Sequence, residues 1–207
     1  MSKITNDKES NSFMNYKNKL IEFNKKKKYL DELVFLSKLI NPQTNDVILD
    51  FGCGIGTAIK YIKSNNNITV VGYDITNYYQ QDDIKIYTNF DELLLNEKGI
   101  DKIYFLHSFA HIGNVEIIIK GLRASLKPNG EIIVITPNLE FDTYYKKLSN
   151  EPDYKNDVTV IQHYNQATLK EVFEECGFFS KTIGQFGDCP SDNLINERVF
   201  GVFGKVE

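Results

Sequence analysis

Val47-Ile48-Leu49-Asp50-Phe51-Gly52-Cys53-Gly54-Ile55-Gly56 is the stretch on which the fold of this 207-residue chain turns. An apolar run enters a turn with glycine at alternate positions, and Thr57-Ala58-Ile59-Lys60-Tyr61-Ile62 continues with a helical pattern. Strand, glycine turn and helix in that order build a backbone concavity that a ligand can approach closely. The spacing separates two chemistries. A dinucleotide fingerprint, G-x-G-x-x-G, needs its third glycine at the position of Thr57, whereas here the third glycine is Gly56. A carboxylate at Asp50 would also repel a pyrophosphate. Taken alone, the triplet could equally be the tight turn of any α/β protein, so the surroundings decide.

Thr69-Val70-Val71-Gly72-Tyr73-Asp74 is a second apolar run ending in an acid. In βαβ nucleotide folds, an acid about 20 residues past the glycine turn accepts hydrogen bonds from a ribose diol, and Asp74 meets that spacing from Gly54. The bland reading of Asp74 is a polar strand end. Beyond it, strands are predicted at 84–87, 102–107, 131–136, 178–185 and 197–205, with helices at 56–64, 115–126 and 166–176. Lys127-Pro128-Asn129-Gly130 reads as a turn, and Gly177 follows a helix as a C′ residue should. Between Phe13 and Ile40 the apolar positions predict one or two amphipathic helices, stopped by Asn41-Pro42. Alternating strands and helices imply a mostly parallel, Rossmann-like sheet with helices on both faces. The helix-free connection between the last two strands implies an antiparallel hairpin at one edge. The expected organisation is an N-terminal helical cap, 1–40, followed by the main domain, 41–207.

Composition narrows the function classes. The net charge of −4 argues against a broad nucleic-acid surface, since neutralising phosphates needs clustered cations. Lys25-Lys26-Lys27-Lys28 is the exception and reads as a solvated helix end. No apolar stretch is long enough to span a bilayer, and the first residues lack an apolar signal region. The three cysteines, Cys53, Cys176 and Cys189, are scattered and fit a reducing compartment, so a cytoplasmic location is expected. With only His107, His111 and His163 present, a multi-histidine metal site is not expected.

The G-x-G-x-G turn preceded by Asp50 resembles motif I of the class I S-adenosylmethionine (SAM)-dependent methyltransferases. Further segments carry the resemblance. Asp101 to Ile112 is similar to their fourth-strand segment, Leu126-Lys127-Pro128-Asn129-Gly130 to their Leu-Lys-Pro-Gly-Gly turn, and His163 to Phe179 to the late helix that closes with Gly-Phe. The likeness runs from about Leu30 to Val206 and points to the small-molecule branch that includes ubiquinone O-methyltransferases and sugar methyltransferases. It implies a seven-stranded sheet, SAM as methyl donor with S-adenosylhomocysteine as product, and no metal. An acid at position 50 suits the ammonium and sulfonium of SAM. By resemblance the cofactor would be held by Asp50, Gly52, Cys53, Gly54, Gly56, Asp74, Ile75, Asn89, Phe90, Leu106 and His107, with Asn89 and Phe90 falling where the adenine amino group is read. Asp91 is the competing choice there. Only Ile75 to Asp83 separates the second and third strands, so the helix usual in the family is short or missing. Ala110 stands where many relatives have a histidine or glutamate.

Methyl transfer from a sulfonium needs mainly alignment, which can supply ~7–11 kcal/mol, and for a hydroxyl acceptor a general base adding roughly 10²–10⁴-fold. His111, matching the family's histidine, is the first candidate for base, with His163 second and His107 either a third or packed beneath the cofactor. The irregular segment 139–164, rich in tyrosine and including Tyr144 and Tyr145, reads as an acceptor-site lid or as a small hydrophobic core. Tyr144, Tyr145 and His163 are the candidate acceptor contacts. The expected acceptor is a small molecule, most plausibly a hydroxyl of a sugar or related metabolite. A small-molecule N- or phosphate O-methyltransferase and a non-catalytic SAM-binding partner stand as alternatives. Neither nucleic acid nor membrane is expected as a partner.

Overall fold

The computed structural model describes residues 17–18, 21–22, 25, 27–64, 67–79, 84–141, 143, 160–187 and 195–206. Its centre is a seven-stranded sheet in the order β3-β2-β1-β4-β5-β7-β6. The strands are β1 (Val47–Phe51), β2 (Thr69–Tyr73), β3 (Ile86–Tyr87), β4 (Ile100–Leu106), β5 (Leu126–Pro137), β6 (Phe178–Phe186) and β7 (Arg198–Lys205). The first five run parallel, while β7 pairs antiparallel with both β5 and β6. This is the Rossmann-like sheet with a C-terminal antiparallel hairpin that the strand spacing implied.

Alternation along the strands splits the core into two layers. On one face Leu49, Phe51, Val71, Ile103 and Phe105 meet α3 (Phe90–Asn96), α4 (Val115–Ser125) and α5 (Gln166–Glu175). On the other, Ile48, Val70, Tyr104, Ile133 and Ile135 meet α1 (Lys27–Ile40) and α2 (Thr57–Lys63). Neighbouring residues such as Ile48 and Leu49 therefore serve opposite layers, as the two-residue period of a strand requires. α1 buries Leu33, Leu36 and Ile40 completely. Its 3.6-residue spacing makes it a wall of the main core, so this part of the expected N-terminal cap is integral to the sheet domain.

Three differences from the sequence reading have local causes. α3 was not expected. It forms because Asn89 caps it, its side-chain oxygen accepting from Glu92 N at 2.9 Å, with Asp91 and Glu92 in the first turn. β3 shortens to two residues. β5 begins at Leu126, yet its register jumps between Ile100/Leu126 and Lys102/Glu131, so Lys127–Gly130 is looped out of the ladder as the expected turn. Gly177, at φ 80, sits past the C-cap of α5. No helix among the described residues is long and apolar enough to cross a membrane.

Candidate active site

The strand ends decide where the site lies. β1, β2, β4 and β5 all finish on the carboxyl edge of the sheet, and antiparallel β7 brings its first residue, Arg198, beside Pro137 on that same edge. In open α/β sheets this edge is where ligands bind. Leaving β1, the chain passes through Gly52, Gly54 and Gly56 at φ of 87, 51 and 74. Each is in the left-handed region that side chains resist. Gly52 N and Cys53 N both donate to Tyr73 O, at 2.7 and 3.0 Å, which ties the turn to the end of β2. A Cβ on Gly52 would collide with Ser108, whose hydroxyl donates to Phe51 O. A Cβ on Gly56 would collide with the ring of Tyr79. The glycines thus let three neighbouring segments close in on the turn.

Asp74 braces the turn from β2. Its Oδ2 accepts from Gly54 N at 2.8 Å and its Oδ1 from Thr76 N at 3.1 Å. Burial raises its carboxyl above the usual range, opposed by these backbone donors. A carboxylate offers about four lone-pair positions, so two such bonds leave acceptor capacity for a diol. Ile75, 83% exposed, follows on the rim. Tyr79 fills the space of the shortened crossover, buried against Gly56 with Lys60 Nζ 5.3 Å from its ring. The glycine turn with an acid at the next strand end fits a nucleoside whose ribose bonds Asp74. No group of metal-binding side chains occurs among the described residues.

Asp50 is a residue of β1 itself. Its side chain is only 2% exposed, beneath the turn. Burial pushes its carboxyl up to about 8; the nearby Tyr104 hydroxyl opposes this from outside full hydrogen-bonding geometry, and the charge of Asp74 adds to it. Burial thus favours the protonated form of this carboxyl. Cys53 is also buried, and burial pushes its thiol up. Leu106 closes β4 within the α1/α2 core layer. Asn89 uses its side-chain oxygen to cap α3, and Phe90 packs edge-on to Phe51 and Tyr73.

The histidines separate into two places. His107 follows β4 directly and adopts φ 63, an uncommon conformation for a residue with a side chain. Its backbone N donates to Ile135 O at 2.9 Å. Its Nε2 lies 2.6 Å from Oε2 of Glu32 on α1. The second oxygen of Glu32 accepts from Arg198 Nε at 3.0 Å. Arg198 also reaches Glu197, with which Lys28 pairs. Glu32 is 3% exposed. Burial pushes its carboxyl up, but the His107 hydrogen bond and the charges of His107 and Arg198 outweigh that and hold it below the usual range. His111 ends the 3₁₀ turn Phe109–His111, and His163 precedes Tyr164; both are exposed. Ala110 O accepts from Ile161 N and Gln162 N, so their two segments run side by side.

The 139–164 segment is pinned at its base. Asn138 bridges to Tyr164, and Leu139 N donates to Tyr164 O at 2.8 Å. Tyr164 and Phe141 are buried. Tyr144, Tyr145 and Tyr154 lie outside the described residues. Glu32, Arg198, Ser108 and Tyr79 were not singled out from sequence. Glu32 left a signal: an acid among the core-facing positions Tyr29, Leu33 and Leu36 of an amphipathic helix.

Residues 21–179 match the family described as methyltransferase domain. The chain is 32% identical to the ubiquinone biosynthesis O-methyltransferase of Rickettsia typhi over 124 residues, 50% of this chain and 48% of that protein. It is 23% identical to the sterol 24-C-methyltransferase of Saccharomyces cerevisiae over 155 residues, 66% of this chain and 40% of that one. The chain thus spans less than half the length of either curated relative. Its fold superimposes on a SAM-dependent methyltransferase from Archaeoglobus fulgidus with a TM-score of 0.63 at 16% identity, covering 84% of this chain and 94% of that one. A second, from Mesorhizobium loti, gives a TM-score of 0.63 at 17% identity over 82% and 96%. With the glycine turn, the acid-terminated second strand and the antiparallel hairpin all in place, the chain belongs to the methyltransferase domain family and has the fold of its SAM-dependent members.

Proposed function

We propose that this protein transfers a methyl group from SAM to a hydroxyl of a small molecule, a sugar or related metabolite being the favoured class. The observation that carries the reading is the pairing of two sites on one sheet edge. The glycine turn and Asp74 form one; His107, held by Glu32, forms the other. Ser108 bridges them, contacting Gly52 while adjoining His107. The net charge of −4 and the relatives named for ubiquinone and sterol support a small acceptor over a nucleic acid.

The donor supplies a methyl group already activated by its sulfonium. The glycine turn and Asp74 bind and orient it, Asp74 through the ribose diol. His107 takes the hydroxyl proton as the oxygen attacks. Because Glu32 is ionised, Nε2–H donates to it. Proton transfer of this kind is worth roughly 10²–10⁴-fold. The neighbouring segments that carry His111 and His163 support a second arrangement, in which one of these exposed imidazoles serves as base.

Calorimetry with SAM tests the donor site. Detection of S-adenosylhomocysteine with UDP-glucose, 3,4-dihydroxybenzoate and ethanolamine tests the acceptor class. Methylation of UDP-glucose is the expected result. Methylation of ethanolamine alone would move the reaction to nitrogen, and methylation of RNA with none of the three would overturn the small-molecule reading. SAM binding without turnover of any acceptor would mark a non-catalytic binding subunit.

A further inference from the structure

We propose that Glu32, on helix α1, is the positioning residue of His107 and ties the N-terminal helix to the catalytic edge. The inference rests on the reading of His107 as the acceptor-side base, and the observations behind it are geometric. A carboxylate 3% exposed in a wall of Tyr29, Leu33 and Leu36 is an unusual core choice. Burying a charge is tolerated only when it is paired and hydrogen-bonded. Here both oxygens are used, one by His107 Nε2 at 2.6 Å and one by Arg198 Nε at 3.0 Å.

The backbone of His107 tells the same story. A residue with a side chain at φ 63 is held in a sparsely populated region, which persists where the surroundings over-determine it. Glu32 grips the ring from α1, and Ile135 O grips the amide from β5. The residue is thereby held from two sides, its ring by α1 and its backbone by β5, one position before Ser108. An apolar residue at position 32 would leave the guanidinium of Arg198 without this carboxylate, so Glu32 is tied to its partners as a unit. The ion pair serves orientation: it holds the ring of His107 and selects the tautomer with the proton on Nε2. Arg198, the first residue of β7 on the same sheet edge, takes the other oxygen of Glu32 and helps hold its carboxyl below the usual range.

The test uses the full chain, labelled with ¹⁵N, and reads the imidazole nitrogens. There are three histidines, so His111→Gln and His163→Gln assign the spectrum. His107 is expected to show a single tautomer with a slowly exchanging Nε2 proton at neutral pH. In Glu32→Gln, which keeps shape and removes charge, that proton should exchange freely and the ring should average between tautomers. S-adenosylhomocysteine affinity, measured by calorimetry, should stay within about threefold of wild type. Turnover of UDP-glucose should fall by roughly 10–100-fold in kcat with little change in KM, and Glu32→Gln should add little to the loss in His107→Gln, as for two residues acting as one unit. A folded Glu32→Gln protein with unchanged His107 signals overturns the proposal. So does an altered ring with undiminished turnover, which would make the contact purely structural. If Glu32→Gln does not fold, the wild-type spectrum decides: no protected Nε2 proton on His107 overturns it. Failure of S-adenosylhomocysteine to bind the wild type refutes the donor assignment instead, and does so independently of the ring signals.

Discussion

Replacing Asp50 by asparagine should stabilise the ligand-free protein, increasingly so as pH rises. The carboxyl is 2% exposed, and burial pushes it from 3.8 up to about 8. The unfolded chain releases the proton near 3.8, while the folded protein retains it until about 8. Between these values the unfolded state binds fewer protons, so wild-type stability falls as pH rises. Retaining the proton at pH 7 costs up to about 4 kcal/mol, at about 1.4 kcal/mol per pH unit across three units. Asparagine has no such titration, but its buried amide N–H groups lack a guaranteed partner, a penalty of about 1–3 kcal/mol. The net gain at pH 7 is then about 1–3 kcal/mol, or some 2–12 °C in Tm for a chain of this size. The slope is the safer quantity, because the amide penalty is constant with pH. Urea unfolding of both proteins at pH 5, 6, 7 and 8, with matching m-values, should show the Asp50→Asn advantage growing by about 1.4 kcal/mol per unit and flattening above 8. A difference independent of pH would mean that Asp50 is ionised in the folded protein, and the neutral-acid account of the glycine turn would fail.

Asp74→Ala should weaken SAM binding by at least tenfold in calorimetry, since it removes the diol acceptor and also frees Gly54 N; unchanged affinity would refute the ribose assignment. Gly52→Ala should destabilise by about 3 kcal/mol or fail to fold, because the new methyl meets Ser108 at a left-handed φ, and Ser108→Gly should recover part of the loss in thermal unfolding. His107→Gln should lower kcat by about two orders of magnitude with SAM affinity nearly intact, whereas His111→Ala should have the smaller effect; the reverse order would return the base to His111. Glu32 has a lowered carboxyl pKa, so its stabilising contribution is present above the ordinary carboxylate range and is lost as pH falls through its folded value. Acid unfolding followed by circular dichroism should therefore begin at higher pH in wild type than in Glu32→Leu.

The order of elements was written in the chain. Period-two apolar runs, glycines at 52, 54 and 56, and an acid at 74 are local signals, and each carries its own physical reason, so strands, turn and sheet topology were legible together. α3 escaped because its start depends on one cap, Asn89, ahead of a segment with little periodicity. Local spacing also marks which residues lie near a site without showing which way they face. Asp50 and Asp74 look alike in sequence, as acids at the ends of apolar runs. Yet Asp50 lies inside β1 and is buried, with its carboxyl pushed up, while Asp74 follows the last residue of β2, is only partly buried and braces the glycine turn. The histidines show the same limit. His107, His111 and His163 could be ranked only by proximity to a strand end. Glu32 and Arg198, 75 residues before and 91 after His107 in the chain, single it out, and only the packing of α1 on the sheet and the pairing of β7 with β5, the neighbour of β4, bring them together. Backbone and periodicity are properties of neighbours along the chain; orientation, burial and charge state are properties of neighbours in space.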